Sequence, residues 1–215
     1  YLQWNKNDWE IKLGRQRVNW GMNLAWNPND LFNAYSFFDF DYEERRGSDA
    51  LRVKYYTGVA SSIEIAAKMA KDMDRFVAAA MWKTNKWNYD FQLLSGVANG
   101  DVAIGAGWEG NVGLGGFKGE MTYLIPFETT IVNSGYDQLF LGSVSFDYSF
   151  KNSLYLNGSV LYNSNNPIHP GVIALRQSSN ALFTMRDLSS TAWAVFLQSA
   201  YQISPLIYGS LSIMG

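Results

Sequence analysis

Apolar and polar residues alternate along most of the chain, so the dominant period of its pattern is two. The stretch WNYDFQLL at 87–94, for example, places aromatic and aliphatic residues at alternate positions, with Asn, Asp and Gln between them. This period is typical of a β-strand whose two faces meet different surroundings. The pattern predicts eleven strands, at 9–21, 50–57, 61–70, 74–83, 87–98, 101–112, 116–126, 138–149, 153–163, 193–203 and 206–214.

Most of these segments are longer than the roughly 5–6 residues of a typical globular strand. They match the roughly 9–11 residues that a tilted membrane-spanning strand needs. The long connections, at about 22–49, 127–137 and 164–192, fall at alternate junctions. Outer-membrane barrels have short turns at one end and long loops at the other. We therefore predict an all-β fold, a single transmembrane antiparallel β-barrel domain over residues 1–215, with these connections as outer loops.

The strand count predicts that this chain is only part of a barrel. Bacterial barrels have an even number of strands, whereas the pattern gives an odd number. The opening YLQWNKND fits the end of a preceding strand followed by a turn. We therefore expect a complete barrel of about 12–16 strands.

The two predicted faces have opposite character. Trp87, Phe91, Ile104 and Tyr123 belong to the apolar face, which we expect to point outward, and Asp90 belongs to the other. Aromatic residues near segment ends indicate interface girdles, at Trp9, Trp87, Tyr123, Tyr148, Tyr162 and Trp193. Alternation alone fits a soluble barrel or sandwich equally well, with the apolar face inside. Strand length, loop order and a charged fraction of 17%, against about 25% in typical proteins, favour the bacterial outer membrane.

Composition and motifs argue against several other functions. The net charge is −2 without a basic stripe, which argues against nucleic acid as a partner. There is no cysteine for a thiolate metal site, and the single histidine, His169, lies between prolines without a catalytic partner pattern. The glycine-rich stretches GAGWEG and GLGGFKG are not followed by a helix, as a phosphate-binding loop would be. We therefore predict neither an enzyme nor a cofactor or metal site.

Two arginines interrupt the first predicted strand. Arg15 and Arg17 share the apolar parity, and an arginine that faces the middle of a bilayer is costly. Either the strand has left the hydrocarbon at this height, or Gly14 forms a β-bulge that exchanges the faces. We favour the bulge, which would place both arginines and Asn19 in the lumen and direct Gln16, Val18 and Trp20 outward, with Trp20 near the outer girdle.

The stretch that follows, residues 22–49, is too aromatic to extend freely into water, so we predict that it folds into the barrel or across its mouth. Asn29 or Asp30 is a candidate helix cap. Carboxylates such as Asp30, Asp41, Glu43 and Glu44 are the expected partners of the two arginines. The segment is then either a pinned loop or a constriction that selects anionic solutes. The candidate lumen and constriction residues are Arg15, Arg17, Asp30, Glu43, Glu44, Arg45, Arg46, Arg52, Lys54, Glu64 and Lys68.

Three motifs resemble a pattern of porin-like outer-membrane proteins of Gram-negative bacteria. They are LGRQRVNWG at 13–21, WNPNDLFN at 26–33 and R-x-G-x-D-A-L-R at 45–52. The resemblance covers about residues 9–58 and is greatest to uncharacterised barrels of the Bacteroidetes group, with a more distant similarity to alginate-export and related porins. It implies a passive channel or an accessory barrel.

Three functions therefore compete. The first is a porin-like channel for small polar solutes, whose mixed lumen charges predict weak selectivity. The second is a structural barrel with a plugged lumen, which serves a secretion or assembly complex of the envelope. The third is a soluble ligand-binding barrel. The first two imply outer-membrane lipid as a partner, with small polar solutes or envelope proteins in addition.

Overall fold

The computed structural model describes residues 1–33, 47–70, 75–127, 138–164, 184–189, 191–204 and 206–215. The protein is all-β, with twelve strands in one antiparallel sheet. The strands are β1 (Leu2–Lys6), β2 (Trp9–Gln16), β3 (Ser48–Gly58), β4 (Ser61–Lys68), β5 (Val77–Lys86), β6 (Tyr89–Ala98), β7 (Asp101–Val112), β8 (Gly115–Pro126), β9 (Leu139–Ser149), β10 (Leu154–Asn163), β11 (Trp193–Ser204) and β12 (Ile207–Met214).

Each strand pairs with the next one along the chain, from β1 to β12. In the described part of the chain, β1 and β12 are the two ends of this order and do not pair with each other. A short 3₁₀ helix, Met185–Asp187, lies in the connection between β10 and β11. Within the same described residues, no helix is long and apolar enough to cross a membrane.

All eleven predicted strands are present, and β1 with its turn at Asn7 and Asp8 is the preceding strand that the opening residues indicated. The largest error concerns the end of β2. The strand stops at Gln16, although alternation continues to residue 21, because Val18 and Trp20 turn inward to cover the sheet. Local alternation does not distinguish these two outcomes.

The predicted order of loop lengths is confirmed. One end of the sheet, the turn end, carries the short connections, several of which contain residues with positive φ: Asn7, Trp87, Asn88, Gly113 and Ser153. The other end, the loop end, carries the three long connections, which include 17–47 and 164–192. All three long connections therefore lie at the same end of the sheet.

The face expected to be apolar, here called the outer face, is exposed. Ile104 is 52% exposed and Trp87 is 76% exposed. Asp90 and Glu109 lie on the opposite, inner face and are half-buried. Within the strands, charged residues reach the outer face only at strand ends, at Lys6, Lys86, Arg15 and Asp49. The outer face therefore carries an apolar belt with charged groups only at its margins.

Aromatic side chains meet at both ends of this belt. Trp9 and Tyr55 pack near the turn end with ring centroids 4.7 Å apart. Tyr162 and Trp193 pack at the same distance near the loop end. Aromatic residues occupy these positions because one edge of the ring tolerates water while the rest is apolar.

Several outer-face rings lie against a glycine of the neighbouring strand. A Cβ atom on Gly119 would overlap the indole of Trp108, its partner across β7 and β8. Gly158 differs, because a Cβ atom there would only make ordinary contact with Leu197, at 3.4 Å. Gly119 therefore holds the ring against the backbone, whereas Gly158 does not.

We predict that Gly119→Ala lowers the free energy of unfolding by about 1–3 kcal/mol, the usual cost of overpacking a close contact. Gly158→Ala is the matched control and is expected to change it by less than about 0.5 kcal/mol. Urea unfolding followed by tryptophan fluorescence measures both variants. Equal effects would contradict the specific role of Gly119.

Candidate functional site

Residues 17–33, here called the inner segment, leave β2 and lie against the inner face of the sheet. Most apolar side chains of the segment are almost fully buried, with Val18 and Leu31 each 1% exposed and Trp26 2% exposed, whereas Leu24 is 50% exposed. The segment crosses the sheet from β4 to β11 without forming a helix or strand in its described residues. The described first part of the stretch predicted to fold inward, residues 22–33, therefore lies on the inner face, and residues 34–46 lie outside the described residues. Asn29 and Asp30 form turns and do not begin a helix within the described residues.

Side chains of β3, β4 and β6 hold the beginning of the inner segment. The indole N–H of Trp20 donates to Glu64 Oε1 at 2.8 Å. Arg52 donates to both oxygens of the same carboxylate, at 2.8 and 3.0 Å. Gln92 Nε2 donates to the backbone carbonyl of Trp20 at 3.0 Å. The indole N–H and the backbone carbonyl of Trp20 therefore both have partners on the sheet.

Glu120 on β8 is the central anchor of the inner segment. This side chain is 1% exposed. Its Oε1 accepts the backbone N–H groups of Met22 and Asn23, the latter at 2.9 Å. Its Oε2 accepts the N–H of Asn29 at 2.9 Å. One side-chain carboxyl group thus satisfies three backbone donors of an irregular segment, each of which would be costly to bury without a partner.

Amide and hydroxyl side chains extend these contacts across β7, β8 and β9. Asn29 Nδ2 donates to the carbonyl of Ala106 at 3.0 Å. The hydroxyl of Thr122 lies 2.7 Å from both Asn29 Oδ1 and the carbonyl of Pro28. Ser145 donates to Asn23 Oδ1 at 2.6 Å. The inner segment therefore has one position relative to these three strands, fixed by groups that the sheet supplies.

The inner face is not uniformly polar, which corrects the expected lumen. Toward the loop end, the inner segment and the sheet share a dry cluster in which Trp20 and Phe32 meet edge to face at 5.0 Å. Its sheet members include Val77, Ala79, Leu94, Leu124, Leu139 and Leu141. These apolar residues lie at the alternating positions that were assigned to a polar lumen. They can be apolar because the inner segment, and not water, covers them.

A second element closes over the inner segment from the loop end. Met185, in the 3₁₀ helix between β10 and β11, joins the dry cluster. Arg186 donates to both oxygens of Asp101 at the start of β7, at 2.6 and 2.8 Å, with both side chains 6% exposed. Leu188 packs against both apolar clusters of the interior. We call residues 184–189 the cap.

The predicted β-bulge at Gly14 is wrong. Strands β2 and β3 stay in continuous register through Gly14, so the faces do not exchange. Arg15 and Arg17 are exposed, whereas Gln16, Val18 and Trp20 are the buried residues. The backbone of Gly14 has φ +110, and its Cβ position would lie 3.2 Å from Tyr1 Cα, so close approach and dihedral both require glycine there.

The predicted partners of Arg15 were also wrong. Arg15 donates to both oxygens of Asp49, its cross-strand neighbour, at 3.2 and 3.0 Å, and both side chains are exposed. Asp30 is 1% exposed and lies within the inner segment. Asp41 and the charged run Glu43, Glu44, Arg45 and Arg46 lie outside the described residues.

The remaining candidates line the inner face, with ion pairs toward the turn end. Arg52 and Glu64 are paired, Lys54 and Lys68 are half-buried, and Lys54 Nζ lies 4.7 Å from the Tyr56 ring. Two further pairs follow along the wall, Glu10 with Lys12 at 3.1 Å and Glu109 with Lys118 at 2.6 Å. Their side chains are 17–38% exposed. This half of the inner face is wet and carries both signs of charge.

Sequence reasoning did not find the anchoring roles of Glu120, Asn23, Asn29, Asp101 and Arg186. Glu120 stood out only as one polar-parity charge among several. The sequence signal at Asn29 was the turn motif NPND, which gives no information about its partners. Comparison of the chain with protein-family models gave no match, and comparison with curated proteins gave none.

We predict that Glu120→Ala releases the inner segment, because three buried N–H groups lose their acceptor at about 1–3 kcal/mol each. Hydrogen–deuterium exchange at Met22, Asn23 and Asn29 should accelerate by about 100-fold or more. Glu120→Gln keeps one acceptor oxygen and should give an intermediate rate. Glu109→Gln removes a wet inner-face carboxylate and is the matched control. Unchanged protection in Glu120→Ala would contradict the anchor.

We predict that Arg186→Ala destabilises the protein by about 3–5 kcal/mol, the usual cost of leaving one partner of a buried ion pair uncompensated. The double variant Asp101→Asn with Arg186→Gln removes both charges and should recover much of this loss. Chemical unfolding monitored by circular dichroism measures all three proteins. A loss in the double variant as large as in Arg186→Ala would contradict the pairing.

Proposed function

We propose that this chain forms the wall and the internal constriction of an outer-membrane β-barrel channel for small polar solutes. In this proposal the sheet closes into a barrel around the inner face, and the outer face contacts lipid. The inner segment narrows the pore toward the loop end. The single observation that carries the proposal is the apolar outer face opposite an inner face with ion pairs.

The membrane part of the proposal is supported by the outer belt. A soluble sheet that exposed Leu93, Ile104 and Val144 together at 41–52% would aggregate through this surface. In hydrocarbon the same residues are stable, and the paired strands leave few backbone groups unsatisfied. The marginal positions of Lys86 and of the pair Arg15 and Asp49 match the two membrane–water boundaries.

The channel part is supported by the wet half of the inner face. Paired charges at Glu10, Lys12, Glu109 and Lys118 keep this wall solvated without giving it a strong field of one sign. Such a wall passes polar solutes with weak charge selectivity. The inner segment then sets the size limit, because it occupies the inner face from β4 to β11.

The second candidate is a structural barrel whose lumen stays plugged and whose loops contact other envelope proteins. The observation that favours it is the extent of burial at the loop end. The inner segment and the cap are both anchored by buried polar side chains, at Glu120 and at the ion pair of Arg186 with Asp101. An element that is fixed so firmly needs no further role than filling the barrel.

Current through planar lipid bilayers separates the two candidates. We predict that the full-length protein gives steady single-channel current with weak ion selectivity. Glu120→Ala should raise the unit conductance, because the loosened inner segment obstructs less of the pore, whereas Glu109→Gln should leave the conductance near the original value and shift selectivity toward anions. A silent protein whose Glu120→Ala variant conducts favours the plugged barrel. A protein that stays dispersed without detergent contradicts both candidates.

A further inference from the structure

The outer face has a groove near the turn end of β9 to β12. Its floor is formed at Gly158 on β10 and Ser199 on β11. Gly158 lies between Phe146 and Leu197 on the two neighbouring strands. Of the described residues other than its two chain neighbours, only Leu197 comes within 4 Å of the position that a Cβ atom would take there. The groove exists because small residues occupy outer-face positions that carry large apolar residues elsewhere.

The walls of the groove are almost entirely apolar. They are formed by Phe146, Tyr148, Phe150, Leu156, Leu197, Leu211 and Ile213, and the volume is about 630 Å³. Most of these side chains are 41–66% exposed. This volume is in the range of about 300–1,000 Å³ of known small-molecule sites. The groove spans four strands, which is roughly 14 Å at the usual strand spacing.

A lysine follows the wall of the groove in the sequence. Phe150 is the last wall residue on that side, and the next residue, Lys151, is exposed in the turn between β9 and β10. In the proposed barrel this turn lies at the membrane–water boundary. A lysine there attracts the phosphate of an anionic lipid headgroup.

We propose that this groove is a phospholipid site, in which one acyl chain lies over Gly158 and the headgroup phosphate contacts Lys151. The proposal rests on the membrane part of the proposed function. Two features of the groove fit a phospholipid: its apolar walls accept a hydrocarbon chain, and the lysine of the adjoining turn accepts a phosphate.

A protein partner fits the groove less well. A stable protein interface covers about 800 Å² and roughly 20–30 residues on each side. The groove is lined by only eleven residues. A single flexible chain fills a depression of this size, whereas a folded partner would leave it partly empty.

The experiment measures phospholipid retained by the full-length protein after detergent purification, by native mass spectrometry and by phosphate analysis. Delipidated protein is then incubated with equal amounts of phosphatidylglycerol and phosphatidylcholine. Gly158→Leu should lower retention by about tenfold or more, because its side chain displaces at least two buried methylenes. Val160→Leu, on the same strand and face but outside the groove, is the matched control and should retain as much as the original protein.

The headgroup contact has its own pair of variants. Lys151→Glu should lower phosphatidylglycerol retention by about fivefold, the effect of one charge near an anionic lipid. Lys86→Glu, at the turn end of β5, should leave retention unchanged. The site is supported if Lys151→Glu, but not Lys86→Glu, reverses the preference for phosphatidylglycerol over phosphatidylcholine.

Three outcomes would overturn the site. Equal retention by Gly158→Leu and Val160→Leu shows that the lipid is bound elsewhere or as bulk detergent-shell lipid. Loss of a dimer in Gly158→Leu, without loss of lipid, shows that a second copy occupies the groove. Retention without any preference for phosphatidylglycerol removes the role of Lys151. In each case a protein that still requires detergent and conducts leaves the proposed function standing, whereas one that is stable without detergent removes both.

Discussion

The structure depends on satisfying the backbone of an irregular segment that is buried against a sheet. Residues in a strand or helix pair their N–H and C=O groups with one another, but the inner segment has neither arrangement, and each unpaired buried group is costly. The sheet therefore has to supply acceptors and donors at fixed points. Glu120 supplies acceptors for Met22, Asn23 and Asn29, and Gln92 supplies a donor for Trp20. These contacts explain why polar side chains are fully buried on the inner face.

The same requirement explains the division of the inner face. Where the inner segment covers the sheet, aliphatic side chains such as Leu139 and Leu141 are 0% exposed, and polar groups such as Glu120 and Thr122 bind the segment. Where the segment is absent, toward the turn end, ion pairs such as Glu109 with Lys118 remain partly exposed. The change from a dry to a wet wall along each strand thus follows the path of one segment of the chain.

Sequence reasoning predicted the strands well because alternation is a local property of five to ten neighbouring residues. It also predicted that the stretch after β2 folds inward, because its aromatic content is visible without knowing its partners. It could not predict the anchors, since Glu120 is 98 residues from Met22 and 91 from Asn29. The error at Gly14 has a similar cause. A glycine required by the approach of Tyr1 looks, in one dimension, the same as a glycine that forms a bulge.

The two halves of the inner face also divide the work that the proposed channel requires. Ion pairs that remain in contact with solvent contribute little to stability, and the pairs of the wet half, at 17–38% exposed, keep part of that contact. In a barrel that only needed filling, aliphatic residues would serve as well or better, as they do around Leu124 and Leu141. Charged side chains that contact the inner segment, such as Glu120 and Glu64, bind its backbone or its indole, whereas the pairs of the wet half bind each other. In the proposed channel this division would give solvation at the turn end and size exclusion at the loop end. Solutes in such a channel would be sorted by the gap beside the inner segment and only weakly by their charge.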